Sequence, residues 1–168
     1  MKLNETKIHK MLIENADLML HNLSVVASEF TLKPAMDLLR REVVEDGVSC
    51  GTIGKIDVIL RYKRKIYITE IKYAKPTNTS SDFWESLKVL GYAKYYSWQT
   101  GQKVGIYPAV MVPLHSIKLE QQIIAGQLGL AIFATYQEDE KVKIKLLDDR
   151  PIWQQKIKKQ KTKDLTGI

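Results

Sequence analysis

The sequence predicts an α/β protein in which helices flank a central mixed β-sheet. Two neighbouring segments, 55–62 and 65–73, alternate with the period of strands and are rich in β-branched and aromatic residues. The apolar run at 104–112 is typical of a strand that is buried on both faces. Three further segments have the apolar spacing of amphipathic helices: 4–24, 82–100 and 116–128.

The other segments complete an order of roughly α-β-β-β-α-β-α-β. Residues 25–38 are ambiguous between strand and helix, and 40–44 is predicted to be the first strand. A glycine-containing loop at 47–54 then leads into the paired strands. Residues 130–136 have the pattern of a short buried strand, and 141–147 alternate like a last strand. Because hairpins come early and crossovers come later, we expect a mixed sheet with helices packed on it.

Length and charge limit the classes of protein that fit. The 168 residues fit a single domain, which we expect to span 1–152. The basic tail at 153–168 is poor in apolar residues, which is typical of a disordered end. Lys and Arg number 26 against 19 Asp and Glu, and this net charge of +7 favours a polyanionic partner such as a nucleic acid.

Cysteine usage and hydropathy indicate a compartment. Cys50 is the single cysteine, so no internal disulfide can form, and this fits a reducing environment. No apolar run reaches the roughly eighteen residues of a membrane span, and the N-terminal segment MKLNETKIHK has no apolar signal region. We therefore expect a cytoplasmic protein with no membrane partner.

An acid and a base stand at the end of the second predicted strand, where an apolar face runs out. Ile66, Ile68, Glu70 and Lys72 share one face of this strand because side chains alternate. The two isoleucines should face a core. Charged residues that continue a core face are unusual in a strand with a purely structural role.

The turn between the two strands sharpens this pattern. If the hairpin turns at Lys63 and Arg64, Asp57 lies directly opposite Glu70. Opposed residues point to the same face, with Cβ atoms roughly 5 Å apart. Two carboxylates that close repel each other unless positive charge lies between them.

A divalent cation would balance this pair of acids. Lys72 supplies one positive charge, and carboxylate oxygens are the hard ligands that Mg²⁺ or Mn²⁺ prefers. A lysine beside such a metal can orient or deprotonate a water that attacks a phosphodiester. The simpler alternative is an exposed cross-strand ion pair between Lys72 and Asp57 or Glu70, which contributes little.

These residues resemble a known superfamily. Gly54-Lys55-Ile56-Asp57, followed by Glu70-Ile71-Lys72, is similar to the motif of the PD-(D/E)xK nucleases, and most similar to their RecB- and NucS-like branch. The resemblance implies a restriction-endonuclease-like core and a Mg²⁺ or Mn²⁺ site for phosphodiester hydrolysis in DNA. It makes Asp57, Glu70 and Lys72 the catalytic residues, with Asp57, Glu70 and the Ile71 carbonyl as metal ligands.

The resemblance extends to the flanking helices. The segment 4–15 looks like the first helix of the NucS-like branch, where an early acid points at the metal, and Glu5 is the matching position. Glu42 is the rival for this role, and His9 lies one turn beyond Glu5. The helix after the second strand carries Gln-x-x-x-Tyr in many family members. Here Lys88 replaces the glutamine and Tyr92 matches the tyrosine.

The predicted function is a metal-dependent DNA nuclease that acts on double-stranded or branched DNA, in repair, recombination or defence. The predicted nucleic-acid contacts are Lys55, Lys63, Arg64, Lys88 and Tyr92. The alternative is a catalytically inactive nucleic-acid-binding protein, or a structural homodimer with Trp84 and Tyr95 in its interface. RNA as the substrate and the choice between endo- and exonuclease stay open.

Overall fold

Strand alternation produces one mixed sheet in the computed structural model, which describes residues 3–35, 53–73 and 85–147. Within these residues the strands are β1 (Ser24–Leu32), β2 (Gly54–Tyr62), β3 (Lys65–Ile71), β4 (Ile106–Pro113), β5 (Ala131–Glu138) and β6 (Lys141–Leu146). The helices are α1 (Glu5–Met19), α2 (Val89–Thr100) and α3 (Leu119–Leu128). Short 3-10 turns at Ser86–Lys88 and Leu114–Ser116 precede α2 and α3.

The six strands are ordered in the sheet as they are in the chain. β1, β2 and β3 are antiparallel neighbours, as expected for consecutive hairpins. β3, β4 and β5 are parallel, and α2 and α3 make the two crossovers that parallel pairing requires. A final hairpin adds β6 antiparallel to β5. The expectation of early hairpins, later crossovers and a mixed sheet flanked by helices is confirmed.

α1 begins at a well-formed cap and covers one face of the sheet. The Asn4 side chain accepts a hydrogen bond from the Lys7 amide at 2.8 Å, which satisfies one of the free N–H groups of the first turn. The buried residues of α1 recur at helical spacing: Ile8, Leu12, Ala16 and Met19. The helix ends at Met19, so the prediction of a helix through residue 24 is too long.

β1 occupies most of the segment that was ambiguous in sequence. Its register against β2 shifts between Val25 and Ala27, and Glu29 has a positive φ of 51°. This bulge interrupts the simple alternation that would have identified a strand. β1 and β3 are the two neighbours of β2, so β1 takes the place beside β2 that was expected for 40–44. Residues 40–44, and Glu42 with them, lie outside the described residues.

The sheet separates two apolar cores, and β3 faces both. Tyr67 and Ile71 point into the core beneath α1, which includes Leu12 and Phe133. Ile66 and Ile68 point into the core beneath α2 and α3, as the sequence predicted. The α2 side of this second core is formed by buried Val89, Ala93 and Tyr96. The next side chain after Ile68 on the α2 face is charged, and its first atoms therefore lie inside this core.

Two helices end at glycines with left-handed backbone. Gly101 closes α2 at φ 73°, and Gly129 closes α3 at φ 68°. Glycine adopts this conformation without a steric penalty from a Cβ, so each helix stops sharply before the next parallel strand. Among the described residues, no helix is long and apolar enough to cross a lipid bilayer.

Candidate metal and phosphodiester site

Asp57 and Glu70 come together where the β2–β3 ladder ends. The paired residues run from Tyr62–Lys65 to Val58–Thr69, and the next position in this register sets Asp57 opposite Glu70. The Asp57 Oδ2 accepts a hydrogen bond from the Ile71 amide at 2.9 Å. The carboxylate thus takes an N–H group of the neighbouring strand, and this bond orients it on the α2 face.

Glu70 is a buried acid whose surroundings disfavour its charged form. It is 4% exposed, and its Oε1 lies 3.1 Å from the Lys88 Nζ. Burial raises the pKa of Glu70 above its ordinary value, and the negative charge of Asp57 raises it further. The hydrogen bond and charge of Lys88, and the charge of Lys72, lower this pKa by less. The two lysines therefore compensate only part of the cost of two adjacent carboxylates.

Lys88 reaches the site from the turn that starts α2. Its side chain is 47% exposed, and its Nζ lies 6.0 Å from the centroid of the Tyr92 ring. Desolvation lowers the pKa of Lys88, but the hydrogen bond and the charge of Glu70 outweigh it, so the net shift is upward. Lys88 therefore stays charged beside Glu70 and acts as its counter-ion.

Tyr92 packs against the start of β2. A Cβ on Gly54 would lie 2.6 Å from the Tyr92 Cζ, so this position of the motif has no room for a side chain while the ring stays in place. The glycine therefore lets α2 approach β2 closely, and this approach sets Lys88 over Glu70. The predicted pair of Lys88 and Tyr92 lies at the site.

Lys72 follows the last residue of β3. Its amide donates a hydrogen bond to the Met111 carbonyl at 2.9 Å, so the main chain continues alongside β4. The charge of Lys72 lowers the pKa of Glu70, which places the side chain within electrostatic reach of the acids. The structure therefore brings Asp57, Glu70 and Lys72 into one neighbourhood. The metal contact of the Ile71 carbonyl stays a prediction.

Glu5 approaches the same end of β3 from the α1 side. Its Oε1 accepts a long hydrogen bond, 3.4 Å, from the Tyr73 amide. The residue that Glu5 contacts, Tyr73, thus lies two residues after Ile71, whose amide donates to Asp57. In 3–35, 53–73 and 85–147, however, no three His, Cys, Asp or Glu side chains form a group that could hold a metal ion. Asp57 and Glu70 form a pair, and Glu5 stands apart from it.

Other predicted residues lie farther away or belong to other contacts. Lys63 and Arg64 form the hairpin tip, about 20 Å along the strands from the two acids. Lys55 is exposed near the site end of β2. The His9 Nε2 lies 2.7 Å from the Ser28 hydroxyl and joins α1 to β1. Trp84 lies outside the described residues.

The ion pair between Lys88 and Glu70 was not foreseen from the sequence. Lys88 was predicted to contact nucleic acid because it lies four residues before Tyr92 on the helix after the site, not because it neutralises a buried acid. The available signal was the spacing of Lys88 and Tyr92 on one helix face. That spacing does not show how far Lys88 lies from β3, because this distance depends on how α2 docks on the sheet.

No protein-family model matches this chain, and comparison with curated proteins and with solved structures also found no match.

Proposed function

We propose that this protein is a Mg²⁺- or Mn²⁺-dependent DNA nuclease with a restriction-endonuclease-like core. One observation carries the proposal: Asp57 and a buried Glu70 face each other at the end of two paired strands, and positive charge compensates them only in part. A structural ion pair needs one acid and one base. A second carboxylate at this position raises the free energy of the folded state unless a cation binds there.

The donor set fits a small, hard divalent cation. Mg²⁺ is commonly held by one or two carboxylates and keeps several waters, so two acids suffice for it. Asp57 and Glu70 would hold the ion, with the Ile71 carbonyl as a further oxygen ligand and Glu5 bound through water. When bound, such an ion polarises the phosphate and lowers the pKa of a coordinated water.

The chain's own residues would then orient the reaction. The Ile71 amide fixes one carboxylate oxygen of Asp57, so this ligand loses little freedom on binding. Lys72 extends from the end of β3, where its Nζ orients the attacking water and stabilises the negative charge that grows on the phosphate oxygens. Lys88, which is half-exposed beside Glu70, would be in position to contact the phosphate.

Substitution of Asp57 tests the proposal. Asp57→Asn keeps an oxygen for the Ile71 amide but removes the charge, so Mg²⁺-dependent cleavage of plasmid and oligonucleotide DNA should fall by about two orders of magnitude. Asp57→Ala should do the same. Asp139→Asn, in the turn between β5 and β6, is the matched control and should cleave like the wild type.

Unchanged cleavage in both Asp57 variants would exclude the nuclease assignment. A metal-independent DNA affinity that survives these substitutions, with no cleavage by the wild type, would favour the inactive binding protein. A panel of single-stranded, duplex, flap and junction DNA identifies the preferred substrate in the same assay.

A further inference from the structure

A cavity of about 480 Å³ opens at the carboxyl ends of β3, β4 and β5. Its lining includes Leu3, Tyr73, His115, Thr135, Tyr136 and Gln137. Leu3 belongs to the core beneath α1, so the cavity lies toward the α1 side of the sheet. The described residues that line it include no Lys, Arg, Asp or Glu.

The cavity lies at the same end of β3 as the candidate metal site, on the opposite face of the sheet. Tyr73 directly follows Lys72, and its amide donates to the Glu5 carboxylate. The main chain from Glu70 to Tyr73 spans about 10 Å, which is the length of a few nucleotides of one DNA strand. A strand whose phosphate lies at Asp57 and Glu70 can therefore place a nearby nucleotide in the cavity by passing over the end of β3.

The lining is suited to a flat, neutral, polar ligand. Tyr73 and Tyr136 supply aromatic surface on which a base can stack. Thr135 is 3% exposed, and its hydroxyl has no hydrogen-bond partner among the described residues. A buried hydroxyl without a partner is unfavourable, and a ligand with hydrogen-bonding edges would satisfy it. His115 and Gln137 add further polar groups.

We propose that this cavity receives one unstacked base of the DNA strand that the metal site acts on. The proposal rests on the proposed function, since it takes DNA as the partner. Lys145 adds a positive charge near one lining residue, because its Nζ lies 5.8 Å from the centroid of the Tyr136 ring. A paired base cannot enter, so the substrate is single-stranded or locally opened DNA.

Binding to abasic oligonucleotides tests the proposal. The full-length protein is titrated in EDTA with fluorescein-labelled single-stranded oligonucleotides that carry one abasic site at successive positions. One position should weaken binding to the wild type by about tenfold, because a stacked base is lost there. Tyr136→Ala should bind less tightly, and no position should stand out.

Tyr62→Ala is the matched control, since Tyr62 is also a strand tyrosine with a lysine over its ring, 5.2 Å from Lys63 Nζ, but it lies outside the cavity. It should keep the abasic effect. Equal sensitivity to the abasic site in wild type and Tyr136→Ala, or no sensitive position in the wild type, would overturn the proposal.

Thr135→Val provides a second test that does not depend on removing a large side chain. The valine is nearly isosteric and removes an unpartnered hydroxyl, so the melting temperature should not fall. Affinity differences among the four bases at the sensitive position should shrink by several-fold. An unaltered base preference in a folded variant counts against the cavity as the binding site.

Cleavage is measured separately with Mg²⁺. Base-dependent binding without cleavage would retain the cavity proposal and reject the nuclease. Metal-dependent cleavage with no base dependence would retain the nuclease and reject the cavity proposal.

Discussion

A carboxylate that leaves water loses more solvation free energy than a single lysine restores, and Glu70 is in this position. Its ion pair with the half-exposed Lys88 is screened by solvent, while Asp57 adds repulsion at close range. The carboxylate of Asp57 is better stabilised, because the Ile71 amide donates a hydrogen bond to it. The two acids are thus alike in chemistry but different in environment. This difference affects both the pH dependence of stability and the pKa of Glu70.

The first prediction concerns stability and pH in the metal-free protein. Because the pKa of Glu70 is raised on folding, the folded state binds its proton more tightly than the unfolded state does. This contribution to the free energy of unfolding is fully present below the ordinary pKa of 4.5 and is lost as pH rises through the raised pKa. Urea melts of Glu70→Gln should lack this decrease, and the variant should be at least as stable as the wild type at neutral pH. Parallel pH profiles for both proteins would contradict the prediction.

The second prediction concerns the coupling between the two acids. Asp57→Asn removes the negative charge that raises the pKa of Glu70, so this pKa should move down toward its ordinary value. Carbon-13 NMR titration of the Glu70 carboxyl group measures the change directly. Asp139→Asn, in a distant turn, should leave the titration where it is. A Glu70 midpoint that is the same in all three proteins would show that the acids do not interact.

At the scale of the element, the close approach of α2 to β2 determines whether Lys88 meets Glu70. Gly54 leaves the space that the Tyr92 ring fills. The ring is half-buried beside the core beneath α2, so it cannot swing into solvent without loss of packing. The glycine of the G-x-I-D segment therefore has a packing role, next to the chemical role of Asp57.

We expect Gly54→Ala to displace Tyr92 and lower the free energy of unfolding by about 1–3 kcal/mol, as overpacking commonly does. Cleavage should fall with it, because Lys88 moves with α2. Gly91→Ala is the matched control: a Cβ there meets nothing within 4 Å, and alanine favours a helix by about 0.5–1 kcal/mol over glycine. Thermal melts and the plasmid assay distinguish the two variants. The explanation fails if Tyr92→Ala does not relieve part of the Gly54→Ala defect.

At the scale of the whole molecule, the net charge of +7 favours DNA, but the described structure does not gather all of the predicted contacts around the acids. Lys55 and Lys88 lie at the site end of the sheet, whereas Lys63 and Arg64 lie at the hairpin tip. A strand or duplex bound at the acids has to run along the sheet to meet both groups. The salt dependence of binding reports this, since each phosphate contact releases counterions.

The double variant Lys63→Asn, Arg64→Gly should lower the slope of log K against log salt concentration by roughly 1 to 2, for two lost contacts. The fold should be maintained or stabilised, because both residues have positive φ, 48° and 64°, which Asn and Gly tolerate better. Asp139→Asn, Glu140→Gly makes the same change in the other hairpin, at φ 50° and 62°, without loss of cations. Fluorescence anisotropy across a salt series measures both. An unchanged slope in the first variant would remove the hairpin tip from the DNA interface.

The strand pairs were the most predictable part of the fold. Alternation over β2 and β3 and a two-residue turn at Lys63 and Arg64 are local features, and together they specify one register. β1 was less predictable, because its register shift and the positive φ of Glu29 disturb alternation. The shift occurs in the pairing with β2, a strand that lies far along the chain, so it is not a local feature of the sequence.

The candidate site likewise has features that the sequence predicts and features that it does not. The sequence by itself determined that Asp57 faces Glu70 and that Ile66 and Ile68 lead into a core, since strand periodicity and turn length suffice for both. Only the tertiary structure decided that Lys88 neutralises Glu70 and that Glu5 meets the chain at Tyr73. These contacts join separate elements, and the direction in which α1 and α2 dock depends on how both cores fill at once.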